Sequence, residues 1–340
     1  MAVIQKDISL KNYNTFGIDI KTKGFVKVEA IEELPALIEH NPYPKLLVLG
    51  GGSNILFTQD FEGLTLLMAN KGITKIWETE KKIGLEIAAG ENWHELVLWA
   101  LEHHYGGLEN LALIPGSVGA APIQNIGAYG VEFESVFHSC KVLEIATLKE
   151  QVLSKADCQL SYRNSIFKNV AKGKFIILSV QIELQKAPHA VSLEYGALKE
   201  HIHSPNPTIQ DVAQAVIQIR TAKLPNPEVL GNGGSFFKNP VVTETTFKTL
   251  QKEFPQLPHY PQTDGVKIPA AWLIDHLGFK GYQKDGAGVH QQQALVLVNH
   301  GQATGATLVA LAETIEQKVA FRMGGHRKTH NRVCKTCNIA

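Results

Sequence analysis

The stretch IPGSVGAAPIQNIGAYG, residues 114–130, most restricts what this chain can fold into. It is dense in Gly, Ala and small polar residues and has too little bulk for an ordinary core helix. Small residues let one backbone pack closely on another, or let a flat ligand approach the backbone. Around this stretch, strand and helix patterns follow one another irregularly. KLLVLGGGSNILF (45–57) reads as a buried strand, a glycine turn and a second apolar segment. GLTLLMA, GLEIAAG and KFIILSVQIEL (174–184) are further strands. NWHELVLWALEHHY (92–105) places Trp93, Leu96, Val97, Ala100 and Leu101 at helical spacing, with Asn92 as N-cap and Gly106-Gly107 as the stop. TIQDVAQAVIQIRTAKLP (208–225) predicts a helix capped by Thr208 and ended by Pro225. IPAAWLIDHLGFKG (268–281) and ATLVALAETIEQKVAF predict two more helices, and ALVLVNHG (294–301) a strand and turn. QKAPHAVSLEYGALKEHIHSPNP, broken by prolines, reads as a loop. Strands often follow strands, which favours an α+β fold with several sheets over one doubly wound sheet.

Composition narrows the function. With 340 residues, 44% of them hydrophobic and 19% charged, the chain can bury sizeable cores and fits two or three compact units. Net charge is +1, but no acid follows Glu316, whereas Lys318, Arg322, Arg327, Lys328, Arg332 and Lys335 do. Setting those aside leaves a mildly acidic body, which argues against a nucleic-acid binder. The N-terminus lacks an apolar signal region, and no run reaches the roughly 18 apolar residues of a membrane span. The four cysteines make no disulfide framework, so a reducing cytoplasm is expected.

Several motifs carry chemistry. In GGGSNIL, glycines let backbone N–H groups face an anion, with Ser53 and Asn54 as extra donors; a plain strand-to-strand turn is the alternative. Neither GxGxxG nor GxxxxGK[ST] occurs, so no Rossmann fingerprint or P-loop is available. In the 114–130 stretch, Gln124 and Asn125 suit an amide-like heterocycle, against tight packing of two elements. Together the two glycine-rich stretches point to a large phosphate-bearing cofactor. In SYRNSIFK (161–168), Arg163 offers a fork of donors matched to a carboxylate, or is a surface arginine. Arg220 and Lys223 close a helix, where cations favour the dipole in any case. In GNGGSFFKNP (231–240), Ser235 has no GxSxG context, and the spacing of His276 and His290 makes no triad. A serine without a base is a poor nucleophile. It can still donate a proton to a strongly basic carbanion.

NTFGI (14–18), LGGGSNIL, IPGSVGAAPIQNIGAYG, YRNSIFK, RTAKLP and GNGGSFFKNP, in that order, resemble the UDP-N-acetylenolpyruvoylglucosamine reductases, in the form that carries a tyrosine loop. The resemblance covers roughly residues 8 to 320. It implies a vanillyl-alcohol-oxidase-type (PCMH-type) FAD-binding domain of two α+β subdomains, 1–70 and 71–206, with the tyrosine loop near 186–206. A third α+β domain, 207–320, holds substrate, and 321–340 is an atypical basic tail. NADPH reduces the flavin, which reduces the enolpyruvyl ether of a UDP-sugar to UDP-N-acetylmuramate for the bacterial cell wall. Arg163 stabilises the enolate-like charge and Ser235 protonates the carbon. The glycines around Ser235 let substrate approach, and Phe236 and Phe237 anchor the turn. Tyr195, Lys223, Asn239 and Tyr129 match substrate-binding positions. FAD is held by Gly50, Gly51, Gly52, Ser53, Asn54, Ile55 and Leu56. It is held also by Pro115, Gly116, Ser117, Gly119, Ala120, Gln124, Asn125, Gly127 and Arg220. A monomer that binds neither nucleic acid nor membrane, and no metal, completes the expectation.

The match breaks after Val319. The family's terminal strand, with its catalytic glutamate, is replaced by AFRMGGHRKTHNRVCKTCNIA, which contains no acid. Glu313 and Glu316 fall too early to take its place. Three readings compete: a zinc site of His326, His330, Cys334 and Cys337, a solvated basic tail, or a lost coding frame, which the abrupt compositional switch favours. A missing strand would leave sheet neighbours without backbone partners. An alternative function follows: a protein that binds FAD and UDP-sugar but turns over little.

Overall fold

In the computed structural model of the chain, the structure describes residues 3–194, 196–322 and the backbone of 338–339. They form two compact units. The first holds two sheets. In one, strands run in the order Gln5–Ser9, Lys21–Val28, Phe61–Met68, Leu46–Leu49, the last pair parallel with Val48 opposite Leu66. The other is antiparallel, in the order Lys149–Ser154, Phe137–Glu144, Phe175–Gln185, Lys82–Ala88, Ile73–Glu78. Phe175–Gln185 is central because its apolar run can be buried on both faces. Ile176 and Leu178 join Val26, Val28, Leu64 and Leu66 in one core cluster. Ile177, Val180 and Ile182 join a larger one with Ile83, Leu85 and Ile87.

Two helices close that larger core. Trp93–Glu102 starts where the Asn92 side chain accepts the Glu95 N–H. It buries Trp93, Leu96, Val97 and Ala100, the i, i+3, i+4, i+7 stripe. Ile209–Lys223 starts at a reciprocal cap: Thr208 Oγ1 accepts the Asp211 N–H at 3.2 Å, and Asp211 accepts the Thr208 N–H at 2.8 Å. It buries Val212, Val216 and Ile219 against Ile83 and Ile87's cluster. Each such side chain contributes about 1.5–3 kcal/mol when fully buried. This packing places all of the helix but its last residue with the first unit. The 186–206 loop contains a short helix, Gly196–His201.

The second unit gathers Ser9–Lys21, Ser53–Phe61 and the described residues from Lys223 onward. One sheet has the order Gly231–Ser235, Val296–Asn299, Ala287–Val289, Gln283–Lys284. A smaller one has the order Val241–Val242, Gly265–Lys267, Tyr260–Gln262. Helices Glu244–Glu253, Ala270–His276 and Gly305–Arg322 accompany them. Ile55–Leu56 pairs in parallel with Asn338–Ile339. The tail residues His326, His330, Cys334 and Cys337 lie outside the described residues. Among the described residues no helix is long and apolar enough to cross a membrane.

Candidate functional site

The 114–130 stretch forms a 3-10 turn, Val118–Ala120, and a hairpin of Gly127–Ala128 with Val131–Glu132. Backbone bonds tie it to the end of strand Lys82–Ala88 and the start of helix Trp93–Glu102. Gly119 N–H donates to Ala89 O at 2.9 Å, Val118 N–H to Glu91 O at 2.8 Å, and Trp93 N–H to Gly116 O at 3.0 Å. The other glycine-rich turn lies against it. A Cβ at Gly51 would sit 2.7 Å from Gly116 Cα, so only glycine permits this approach. Tight backbone packing and a ligand cradle were alternatives in the sequence; in the structure the packing is present. The amides of Gly51 and Gly52 donate to no acceptor among the described residues. Two such donors on a glycine turn suit a phosphate, so these residues fit a phosphate-bearing cofactor.

Asn125 departs from the expectation that its amide faces a heterocycle. The side chain is buried; Nδ2 donates to Glu132 Oε2 at 2.7 Å and to Ser161 O at 3.2 Å, and Oδ1 accepts the Glu134 N–H at 2.9 Å. All its bonding capacity but one lone pair is engaged within the protein. Asn125 therefore ties the small-residue stretch to the turn that carries Arg163.

In that turn, Ser161 and Asn164 exchange backbone hydrogen bonds of 3.1 and 2.9 Å. Arg163 sits between them at φ +54°, a conformation sparsely used by non-glycine residues. Its Nη2 donates to Gly127 O at 2.8 Å. Arg220, on helix Ile209–Lys223, lies within electrostatic reach of Arg163 and Tyr129. Burial pulls its guanidinium below the ordinary arginine value; the Tyr129 phenol opposes that shift and Arg163 adds to it. Neither arginine forms an ion pair among the described residues. Leu113, Asn125, Tyr129 and Arg163 all have positive φ, a concentration of backbone strain of the kind that collects at functional sites. Two unpaired guanidinium groups, one of them desolvated, form an anion-binding arrangement.

The second unit carries Ser235. Its strand pairs with Val296–Asn299, with a register break between Asn232 and Ser235. Ser235 is exposed, while Phe236 and Phe237 are both buried, their rings 5.3 Å apart, so neither faces a ligand. Two of the glycines before Ser235 make room for Phe16. A Cβ at Gly231 would strike the Phe16 carbonyl, and one at Gly233 would lie 2.6 Å from Phe16 Cε2. Phe16 is fully buried beneath the strand and edge-on to Phe236 at 6.3 Å. Asn232 completes the turn: its N–H donates to Thr15 O at 2.9 Å and its Oδ1 accepts the Gly234 N–H at 2.9 Å. Gly231→Ala is expected to cost about 1–3 kcal/mol, since the clash is with backbone that cannot rotate away. A urea melt of the variant at wild-type stability would contradict this packing.

His290 and Ser235 flank the strand Val296–Asn299 from opposite sides. Ser235 pairs with Val296 on one side, and His290 N–H reaches Val296 O at 2.9 Å, from the turn after the strand on the other side. His276 stacks on Trp272 at 4.7 Å. The Asn239 Oδ1 accepts the Ala270 N–H at 2.9 Å, at the start of helix Ala270–His276. Lys223 is exposed at the end of its helix. Ile55 and Leu56 are buried, so their side chains serve the core. Tyr195 lies outside the described residues. Sequence reasoning missed the roles of Phe16, Asn232, His94 and Leu113. Glycines at 231 and 233, two apart on one strand face, were the available signal for Phe16; nothing local signalled the others.

Residues 22–154 match the family model described as an FAD binding domain. Residues 226–327 match that described as the C-terminal domain of UDP-N-acetylenolpyruvoylglucosamine reductase. The reductase of that name from Flavobacterium johnsoniae is 45% identical over 326 residues, covering 95% of this chain and 96% of that protein. Those of Amoebophilus asiaticus and Pseudomonas aeruginosa are 47% and 46% identical, covering 93% and 94% of this chain. The crystal structure of the Thermus caldophilus reductase shares the fold, with a TM-score of 0.69, 21% identity, and coverage of 100% of this chain and 99% of that one. Likeness of this degree, sustained over nearly the whole of both sequences, means that the chain belongs to the UDP-N-acetylenolpyruvoylglucosamine reductase family.

Proposed function

We propose that this chain is the FAD-dependent oxidoreductase that converts UDP-N-acetylenolpyruvoylglucosamine to UDP-N-acetylmuramate, with NADPH as the ultimate reductant. The observation that carries the reading is the pair of arginines, Arg163 and Arg220, without carboxylate partners among the described residues, in a chain of this family. The pyrophosphate of FAD would be held by the amides of Gly51 and Gly52, with Ser53 and Asn54 adding donors. When bound, FAD supplies a hydride for the terminal carbon of the enolpyruvyl group.

The protein's own residues manage the charge that results. Arg163 arrives pre-oriented by its bond to Gly127 O, so its remaining N–H groups need no reorganisation as charge develops on the substrate carboxylate. Ser235 O–H donates the proton to the carbon bearing that charge, and the serine oxygen regains a proton from water. A hydroxyl serves as general acid here because its acceptor is far more basic than water. Asn239 has its Oδ1 committed to Ala270 N–H, and its Nδ2 would donate to substrate. Lys223, Tyr129 and Tyr195 complete recognition of the UDP-sugar. The activity belongs to cytoplasmic peptidoglycan synthesis, with the chain acting as a monomer.

The test is anaerobic flavin absorbance. Purified protein is expected to carry FAD, to bleach with NADPH and to regain its yellow colour when the enolpyruvyl UDP-sugar is added. Bleached flavin that stays bleached after that addition would count against the reading.

A further inference from the structure

We propose that His94 is a positioning residue that holds the Leu113 peptide, and through it the Arg220 guanidinium, ready for the anionic part of a bound ligand. The inference rests on the assignment of Arg220 to flavin binding. Leu113 has φ +58°, a left-handed conformation that a leucine keeps only where its surroundings impose it. Both backbone polar groups of Leu113 are taken by side chains from two different helices. Its N–H donates to His94 Nδ1 at 3.1 Å, from helix Trp93–Glu102. Its C=O accepts from Arg220 Nε at 3.2 Å, from helix Ile209–Lys223. One strained residue, through the two peptide groups that flank its Cα, thus links an imidazole to a guanidinium.

The link works in one protonation state. Nδ1 accepts only in the neutral ring, which puts the proton on Nε2. A second proton would turn Nδ1 into a donor facing another donor, and would set a second cation beside Arg220. Two charged groups face the ring: Arg220 from the neighbouring helix and Glu95 from its own. Burial first, then Arg220, hold His94 below its ordinary value of 6.5, against the opposing pull of Glu95. A group with a depressed folded value favours the native arrangement fully above its unfolded value and loses that advantage as pH falls. The device is therefore set above about pH 6.5 and releases only as pH falls through the lowered folded value.

Flavin affinity of the full chain tests this, read by quenching of FAD fluorescence. At pH 7.5, His94→Ala is expected to weaken FAD binding by about tenfold or more. His94→Asn, whose Oδ1 can replace Nδ1 as acceptor, is expected to stay within about threefold of wild type. As pH falls from 7.5 through the lowered value of the His94 ring, the wild type weakens, and His94→Asn, which has nothing to titrate, responds much less. Unchanged affinity in His94→Ala, or a wild-type pH response in His94→Asn, overturns the proposal. If His94→Ala does not fold, the pH contrast between wild type and His94→Asn decides. A wild-type chain that takes up no FAD at pH 7.5 would refute the flavin assignment instead. Nitrogen NMR of the imidazole then judges the link directly. An Nε2-protonated ring whose titration rises in Arg220→Gln supports it, and an Nδ1-protonated ring removes it.

Discussion

Replacing Ser235 by alanine lowers turnover of the enolpyruvyl UDP-sugar by about 10²–10⁴-fold, the usual contribution of a positioned general acid. The loss falls on one half of the reaction. Bleaching by NADPH proceeds at the wild-type rate, and the recovery driven by substrate slows. The fold supports so selective an effect. Ser235 is exposed at the end of its strand, and the anchoring is done by Phe236 and Phe237 in the core and by Asn232 at the turn. Alanine removes none of those, so stability stays within about 0.5 kcal/mol of wild type. Separate single-turnover measurements of the two halves distinguish a lost proton donor from general damage. A Ser235→Ala protein whose substrate-driven recovery is as fast as wild type would remove this hydroxyl from the chemistry.

Arg163→Lys is expected to reduce kcat by about 10²–10³-fold, the range seen when one pre-organised charge-stabilising group is lost. Lysine keeps the charge, so a purely Coulombic role would survive the change. The structure argues that geometry matters more. Arg163 uses one arm of its fork to grip Gly127 O, which leaves the rest of a planar group aimed in a fixed direction. An ammonium that bonds Gly127 in the same way has no second rigid arm to present. The residue also sits at φ +54°, between the paired backbones of Ser161 and Asn164, so the turn sets its direction before any ligand arrives. The expected signature is a fall in kcat with FAD affinity unchanged. Arg163→Lys within threefold of wild type in kcat would show that charge alone suffices.

Much of the architecture was legible from local pattern. The helix Trp93–Glu102 follows from an apolar stripe and an Asn cap, and Ile209–Lys223 from a stripe and a Thr–Asp pair, because these signals act within one or two turns. The central strand Phe175–Gln185 follows from an apolar run. The two glycine-rich stretches were readable as a junction, since small residues are required wherever backbones nearly touch. Their purpose was less readable. At Gly51 the neighbour is Gly116, and at Gly231 and Gly233 it is Phe16, far away in sequence. A glycine shows that space is needed and does not say what fills it.

Which residues would bear the chemistry came from ordered motifs, and the hydroxyl of Ser235 and the fork of Arg163 are properties of the residues themselves. Which side chains are already engaged was a different matter. Asn125 looks like a ligand contact in the sequence and is a structural tie in the fold, because Glu132, Glu134 and Ser161 reach it first. His94 looks like one more residue on a helix and becomes half of a link to Arg220, because Leu113 stands between them in a strained conformation. Periodicity and caps depend on neighbours a few residues away, so the chain alone determines them. Hydrogen-bond partners drawn from separate segments, as far apart as the 107 residues between Leu113 and Arg220, exist only once the strands and helices have packed, and there the tertiary structure decided.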